Sequence, residues 1–163
     1  MNALIAGYAR TPFVKFTGQF SGQPATVLGA HAVKAALARA GVTPDQVDQV
    51  IAGQVLQGGA GQNPARQTAI GAGIPFTVPA QTLNVVCLSG TEAVSQAARL
   101  IQAGEAEIVV AVGQESMSLA PHVMPLRAGT KYGNAALIDT VDHDGLTDAF
   151  DQVAMGKLTE DGN

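Results

Sequence analysis

The run Glu107-Ile108-Val109-Val110-Ala111-Val112 is apolar on both of its faces, and this feature constrains the fold most. A strand of that kind cannot lie on a surface, because side chains alternate and both sets need cover. Similar strands are expected at residues 2–7, 49–56 and 82–86, each separated from the next by a helical pattern. Between the first two, Val27, Ala30, Val33 and Leu37 recur at helical spacing over residues 25–40, and Gly41 stands as the C-terminal stop. Thr43-Pro44-Asp45-Gln46 has the pattern of an N-cap, a proline at the first helical position and a capping glutamine, so a short helical turn is expected there. Asn63-Pro64 opens another helix through about Ala72. A third helix ends near Gly104, with Val94, Ala97, Ala98 and Ile101 as its expected packed face. Alternating strands and helices give an α/β fold over the first ~115 residues, with a sheet covered on both sides.

Beyond Gly113 the pattern changes. Pro121, Pro125, Gly129, Gly133 and the acidic stretch 139–151 interrupt any long element. A strand or turn at 131–139 and a helix near 146–155 are the expected structure of this second region.

Composition removes several function classes. The 163 residues are 47% hydrophobic and only 13% charged, which excludes a disordered chain. No apolar run approaches the ~18 residues of a membrane span. The net charge is −4, and seven of the thirteen acidic residues follow residue 127, so there is no basic field for nucleic acid. Arg10, Lys15, Arg66 and Arg127 remain as local candidates for a phosphate-bearing ligand. The N-terminus shows no charged leader or cleavage site, which makes a cytoplasmic location the expectation. One cysteine allows neither an intrachain disulfide nor a multi-cysteine metal site, and no metal is expected.

That cysteine, Cys87, stands where a β-branched strand gives way to Ser-Gly and a helix. Unpaired amide hydrogens and the helix dipole favour a thiolate at such a place. A strand-to-helix turn also exposes its side chain at the carboxyl edge of a sheet, where open α/β sheets bind ligands. The alternative is an inert buried thiol, because activation also requires a base.

The surrounding NVVCLSG at 84–90 resembles the acylated-cysteine motif of the thiolases. RTPFVKF at 10–16, NPARQ at 63–67, GQESMSLAPH at 113–122, DGLTDAF at 144–150 and Met155-Gly156 agree with that family in order and spacing. The resemblance covers essentially the whole chain and is greatest to acetyl-CoA acetyltransferases and 3-ketoacyl-CoA thiolases. It implies a thiolase-like layered α/β half with a mixed, mainly parallel sheet at 1–118, lacking its last strand. Residues 119–163 would begin the inserted loop domain. It also implies that Cys87 takes an acyl group from a coenzyme A thioester, for condensation of acetyl-CoA or thiolysis of 3-ketoacyl-CoA. The Cys87 N–H would donate to the developing oxyanion. Met155 would line the acyl pocket. Coenzyme A enters as substrate, with no permanently bound cofactor, and the protein would be a homo-oligomer without nucleic-acid or membrane partners. Gln62, Asn63 and Arg66 would support the dimer and catalytic loop, and Arg127 and Lys131 would lie in the tetramer-forming loop.

The family also uses a Gly-His-Pro histidine and a second cysteine in Cys-x-Gly-Gly-Gly, and this sequence contains neither. His31, His122 and His143 match no thiolase base, so catalysis by this chain in isolation is not expected. Two other classes stand beside the thiolase reading. One is a non-catalytic interaction domain of the same fold. The other, a decarboxylating condensing enzyme of the ketoacyl synthase group, is disfavoured by NPARQ and SMSLAPH.

Overall fold

A computed structural model describes residues 2–162. The chain runs α1 (Ala25–Ala40), β1 (Gln49–Gly53), α2 (Pro64–Gly71), β2 (Ala80–Leu83), α3 (Ser89–Ala103), β3 (Val109–Gly113), β4 (His122–Val123), β5 (Ile138–Asp139) and α4 (Met155–Asp161). The sheet has the order β2-β1-β3, and all three strands are parallel. β1 is therefore central although it comes first in sequence. Gly53 pairs with Leu83 on one side and Gly113 on the other, so the three carboxyl ends are level.

Alternation along the strands divides the core in two. Val50 and Ala52 of β1, with Val112 of β3, pack against Ala30, Val33 and Leu37 of α1 and Ala65 and Ala69 of α2. Ile51 points the other way, with Ala93 and Ala97 of α3, and Val109 and Ala111 complete that side. Helices thus cover both faces, as the doubly apolar run requires. The small side chains of α2 and α3 set a close approach between helix and sheet.

Local signals are realised where they were strongest. Gly41 caps α1 at φ +67°, in the left-handed conformation that glycine adopts without strain. Thr43 and Gln46 close a capping box over a 3₁₀ turn at Pro44–Gln46, the Gln46 Oε1 accepting the Thr43 N–H at 2.9 Å.

Four expectations are corrected. Residues 2–7 form no strand: the segment has no ladder partner, and Leu4 and Ile5 are 85% and 80% exposed. It is held by α1 instead, where Gly7 lies close against Ala36 and Ala40 and Arg39 donates to the Tyr8 carbonyl. The strand expected at 82–86 is Ala80–Leu83, ending before the chain turns at positive φ. On α3 the buried face is Ser89, Ala93 and Ala97, while Val94 is exposed. The helix expected at 146–155 is instead a π-helical turn at Val141–Leu146, followed by α4 from Met155.

β4 and β5 form a separate antiparallel ribbon, with His122 opposite Asp139. Among the described residues, no helix is long and apolar enough to cross a membrane.

Candidate active site

Close backbone contact seats the start of α3 on the sheet. A Cβ on Gly53, the last residue of β1, would overlap the backbone carbonyl of Ser89. A Cβ on Gly113, the last of β3, would lie 3.3 Å from the Gly90 Cα. The first turn of α3 thus rests on the carboxyl ends of β1 and β3, and Cys87 lies two residues before that helix, with Leu88 between as its N-cap.

The turn that carries Cys87 is tied by its own polar groups. Ser89 Oγ donates to the Val86 carbonyl at 2.6 Å and accepts the Val85 N–H at 3.0 Å. Asn84 Oδ1 accepts the Val86 N–H at 2.9 Å. Within this frame Val86 is held at φ +54°, a left-handed conformation that costs a β-branched residue about 1–3 kcal/mol. Ser89 and Asn84 therefore shape the turn. Cys87 itself is exposed rather than buried.

Behind the turn, polar side chains from both strand ends meet. Gln114 Nε2 donates to Gln54 Oε1 at 2.9 Å, Thr68 Oγ1 donates to Gln114 Oε1 at 2.7 Å, and Gln54 Nε2 donates to the Leu56 carbonyl at 3.0 Å. All three residues are buried. The adjacent Glu115 accepts the Val55 N–H at 2.8 Å and the Leu56 N–H at 3.3 Å. Burial pushes its carboxyl above the ordinary value, and hydrogen bonds from the backbone of Val55, Leu56 and Ser116 oppose that rise. The sequence reading passed over Gln54, Thr68, Gln114 and Glu115. A signal was present, since the final glycine of β1 and of β3 is each followed by glutamine, at Gly53-Gln54 and Gly113-Gln114.

The other candidates are dispersed. Met155 is partly exposed at the first position of α4 and lies outside both hydrophobic clusters. Arg66 donates to the Val78 carbonyl and so is engaged within the fold. Asn63 accepts the Thr82 hydroxyl and donates to the Ala80 carbonyl, fixing α2 to β2. Glu92 is held below the usual carboxylate range by hydrogen bonds from Gln96 and Arg99. His122 and His143 face Asp139 and Asp144, and among the described residues no histidine is hydrogen-bonded to Cys87. Two surface grooves, one between α3 and the β1-β2 side of the sheet and one between α1 and α2, both exclude Cys87.

Level parallel strands, a helix seated on their ends and an exposed cysteine close before that helix define this α/β fold. The chain matches the family model described as thiolase, N-terminal domain, over residues 3–162. It is 56% identical over 160 residues to an acetyl-CoA acetyltransferase of Cupriavidus necator and 53% identical over 161 residues to one of Chromobacterium violaceum. Each alignment covers 98% of this chain and 41% of the relative. The Acat5 thiolase of Ascaris suum, crystallised in complex with coenzyme A, superposes with a TM-score of 0.96 at 36% identity. That match covers 99% of this chain and 42% of the other. The chain belongs to the thiolase family and spans about two-fifths of the length of these relatives.

Proposed function

We propose that this chain supplies the acyl-accepting cysteine of an acyl-CoA C-acyltransferase. The thiolate of Cys87 attacks the carbonyl carbon of an acyl-CoA, a new carbon–sulfur bond forms, and coenzyme A leaves as its thiol after taking up a proton. The product is a thioester on Cys87, itself an activated acyl group for condensation with acetyl-CoA or for return to coenzyme A. The Cys87 N–H, at the approach to α3, donates to the oxyanion that develops during attack. Residues 1–118 are the α/β half and 119–163 the beginning of the loop domain, where Met155 lines the acyl pocket. Coenzyme A acts as substrate with no resident cofactor, in a cytoplasmic homo-oligomer.

The observation that carries this reading is the exposure of Cys87 on a strained turn at the carboxyl ends of β1 and β3. A fitting test joins this chain in frame to the remainder of an acetyl-CoA acetyltransferase and exposes it to acetyl-CoA. One acetyl group on Cys87, lost in Cys87→Ala, is the expected result. A folded chimera that binds coenzyme A yet carries no acetyl group on Cys87 overturns it.

A second reading, a non-catalytic interaction domain, is favoured by the exposed apolar side chains beside the cysteine. Val85, Val86, Leu88 and Val94 are all exposed, Leu88 by 67%. Acetylation of Cys87 in the chimera decides between the two.

A further inference from the structure

We propose that Glu115 is a positioning residue for Cys87, acting through the loop that follows β1. The proposal rests on Cys87 being the acyl acceptor, and the Glu115 carboxylate holds the loop that leads to its turn. Its oxygens accept the N–H groups of Val55 and Leu56, sixty and fifty-nine residues away in sequence. The hydrogen bonds from Val55 and Leu56 tie the loop after Gly53 to the end of β3, where the Gln54 side chain also holds the Leu56 carbonyl.

Two routes lead from this loop to the cysteine. The Val55 carbonyl accepts from Asn84 Nδ2 at 3.4 Å, and the Oδ1 of the same side chain accepts the Val86 N–H at 2.9 Å. Val86 is the residue held at φ +54° directly before Cys87. By the second route, Gly53 lies against the Ser89 backbone, and Ser89 Oγ closes the turn on Val85 and Val86. A left-handed valine persists only where its surroundings over-determine it. Glu115 anchors the side of those surroundings formed by the β1 loop, and Asn84 carries the constraint to the turn.

Glutamine at this position keeps one carbonyl acceptor but turns an N–H₂ group toward the second backbone N–H. It also removes the cost of burying a charge. Stability and positioning therefore separate in Glu115→Gln, whereas a residue that merely supported the fold would lose both together.

The test uses the 163-residue chain, with Cys87 as the only thiol, and follows its second-order alkylation by iodoacetamide at constant pH alongside urea unfolding. Glu115→Ala and Asn84→Ala are each expected to slow alkylation by about threefold or more, as misplacement of a reacting group does. Glu115→Gln slows it less while keeping the unfolding midpoint of the parent. The double variant Glu115→Ala/Asn84→Ala matches the slower single variant, because both act on one path. Multiplying effects in the double variant, or a parental rate in folded Glu115→Gln and Asn84→Ala alike, overturns the proposal. Alkylation does not depend on coenzyme A, so failure here is distinct from failure of Cys87 to accept an acetyl group.

Discussion

Gln114 donates from its side-chain amide to the side-chain oxygen of Gln54, 2.9 Å away, and both residues are buried at the ends of neighbouring parallel strands. Thr68 from α2 satisfies the other end of Gln114. Replacing Gln114 by Leu strands the Thr68 hydroxyl and one oxygen of Gln54 together. The expected loss is about 2–4 kcal/mol, read as a lower urea midpoint with an unchanged slope.

Gly53→Ala tests the contact between β1 and α3. The new methyl would meet backbone, which cannot rotate away, so α3 must shift along the sheet. A cost of about 1–3 kcal/mol is expected in urea unfolding, together with an altered alkylation rate at Cys87.

Val86→Gly works in the opposite direction. Glycine adopts the left-handed conformation freely, and the valine side chain is exposed, so little packing is lost. Relief of strain exceeds the extra freedom given to the unfolded chain, for a net gain of about 1 kcal/mol. Thermal unfolding at a midpoint below the parent's would contradict the strain.

Two carboxylates give the stability opposite slopes with pH. Asp48 is held below its ordinary value of 3.8 by the N–H groups of Ile108 and Glu107. Its contribution is therefore present above pH 3.8 and is lost as pH falls through the lower folded value. Asp48→Ala should be less stable than the parent at neutral pH, by a small amount because the group is exposed, and the difference should vanish in acid. Glu115 has its folded value raised above 4.5, so the folded chain holds that proton more tightly than the unfolded one. Its contribution is full below pH 4.5 and falls as pH rises through the folded value. Glu115→Gln should remove that decline, which unfolding curves from pH 4 to 7 would register as a flatter profile.

Short-range signals made much of the fold legible. Gly41 ends α1, the Thr43 to Gln46 box forms, and Asn63-Pro64 opens α2, because each depends on residues within one turn of chain. The motif singles out Cys87, and the structure leaves that residue exposed. Residues 2–7 were misread because an apolar run becomes a strand only when a partner lies beside it. The face of α3 was misread for a related reason: Val94 and Ala93 differ by one position, and contact with Ile51 selects Ala93. The Gln54–Gln114 pair was hidden by sixty residues of separation, although the register of β1 with β3 makes the two neighbours.

The place of β1 at the centre of its sheet imposes an order of events on a growing chain. Its first neighbour, β2, follows after 26 residues without strand structure, at Ala80–Leu83, and its second only at Val109–Gly113. The Cys87 turn is therefore made before Gly113, one of the glycines on which α3 comes to rest. During that interval β1 has an open hydrogen-bonding edge, and one cover of its sheet is unseated. Parallel pairing at such separations is slow and exposed to aggregation, so Cys87 passes through a stage without its final seat. Emergence of β3 completes both the central strand's ladder and the platform under the cysteine in a single step.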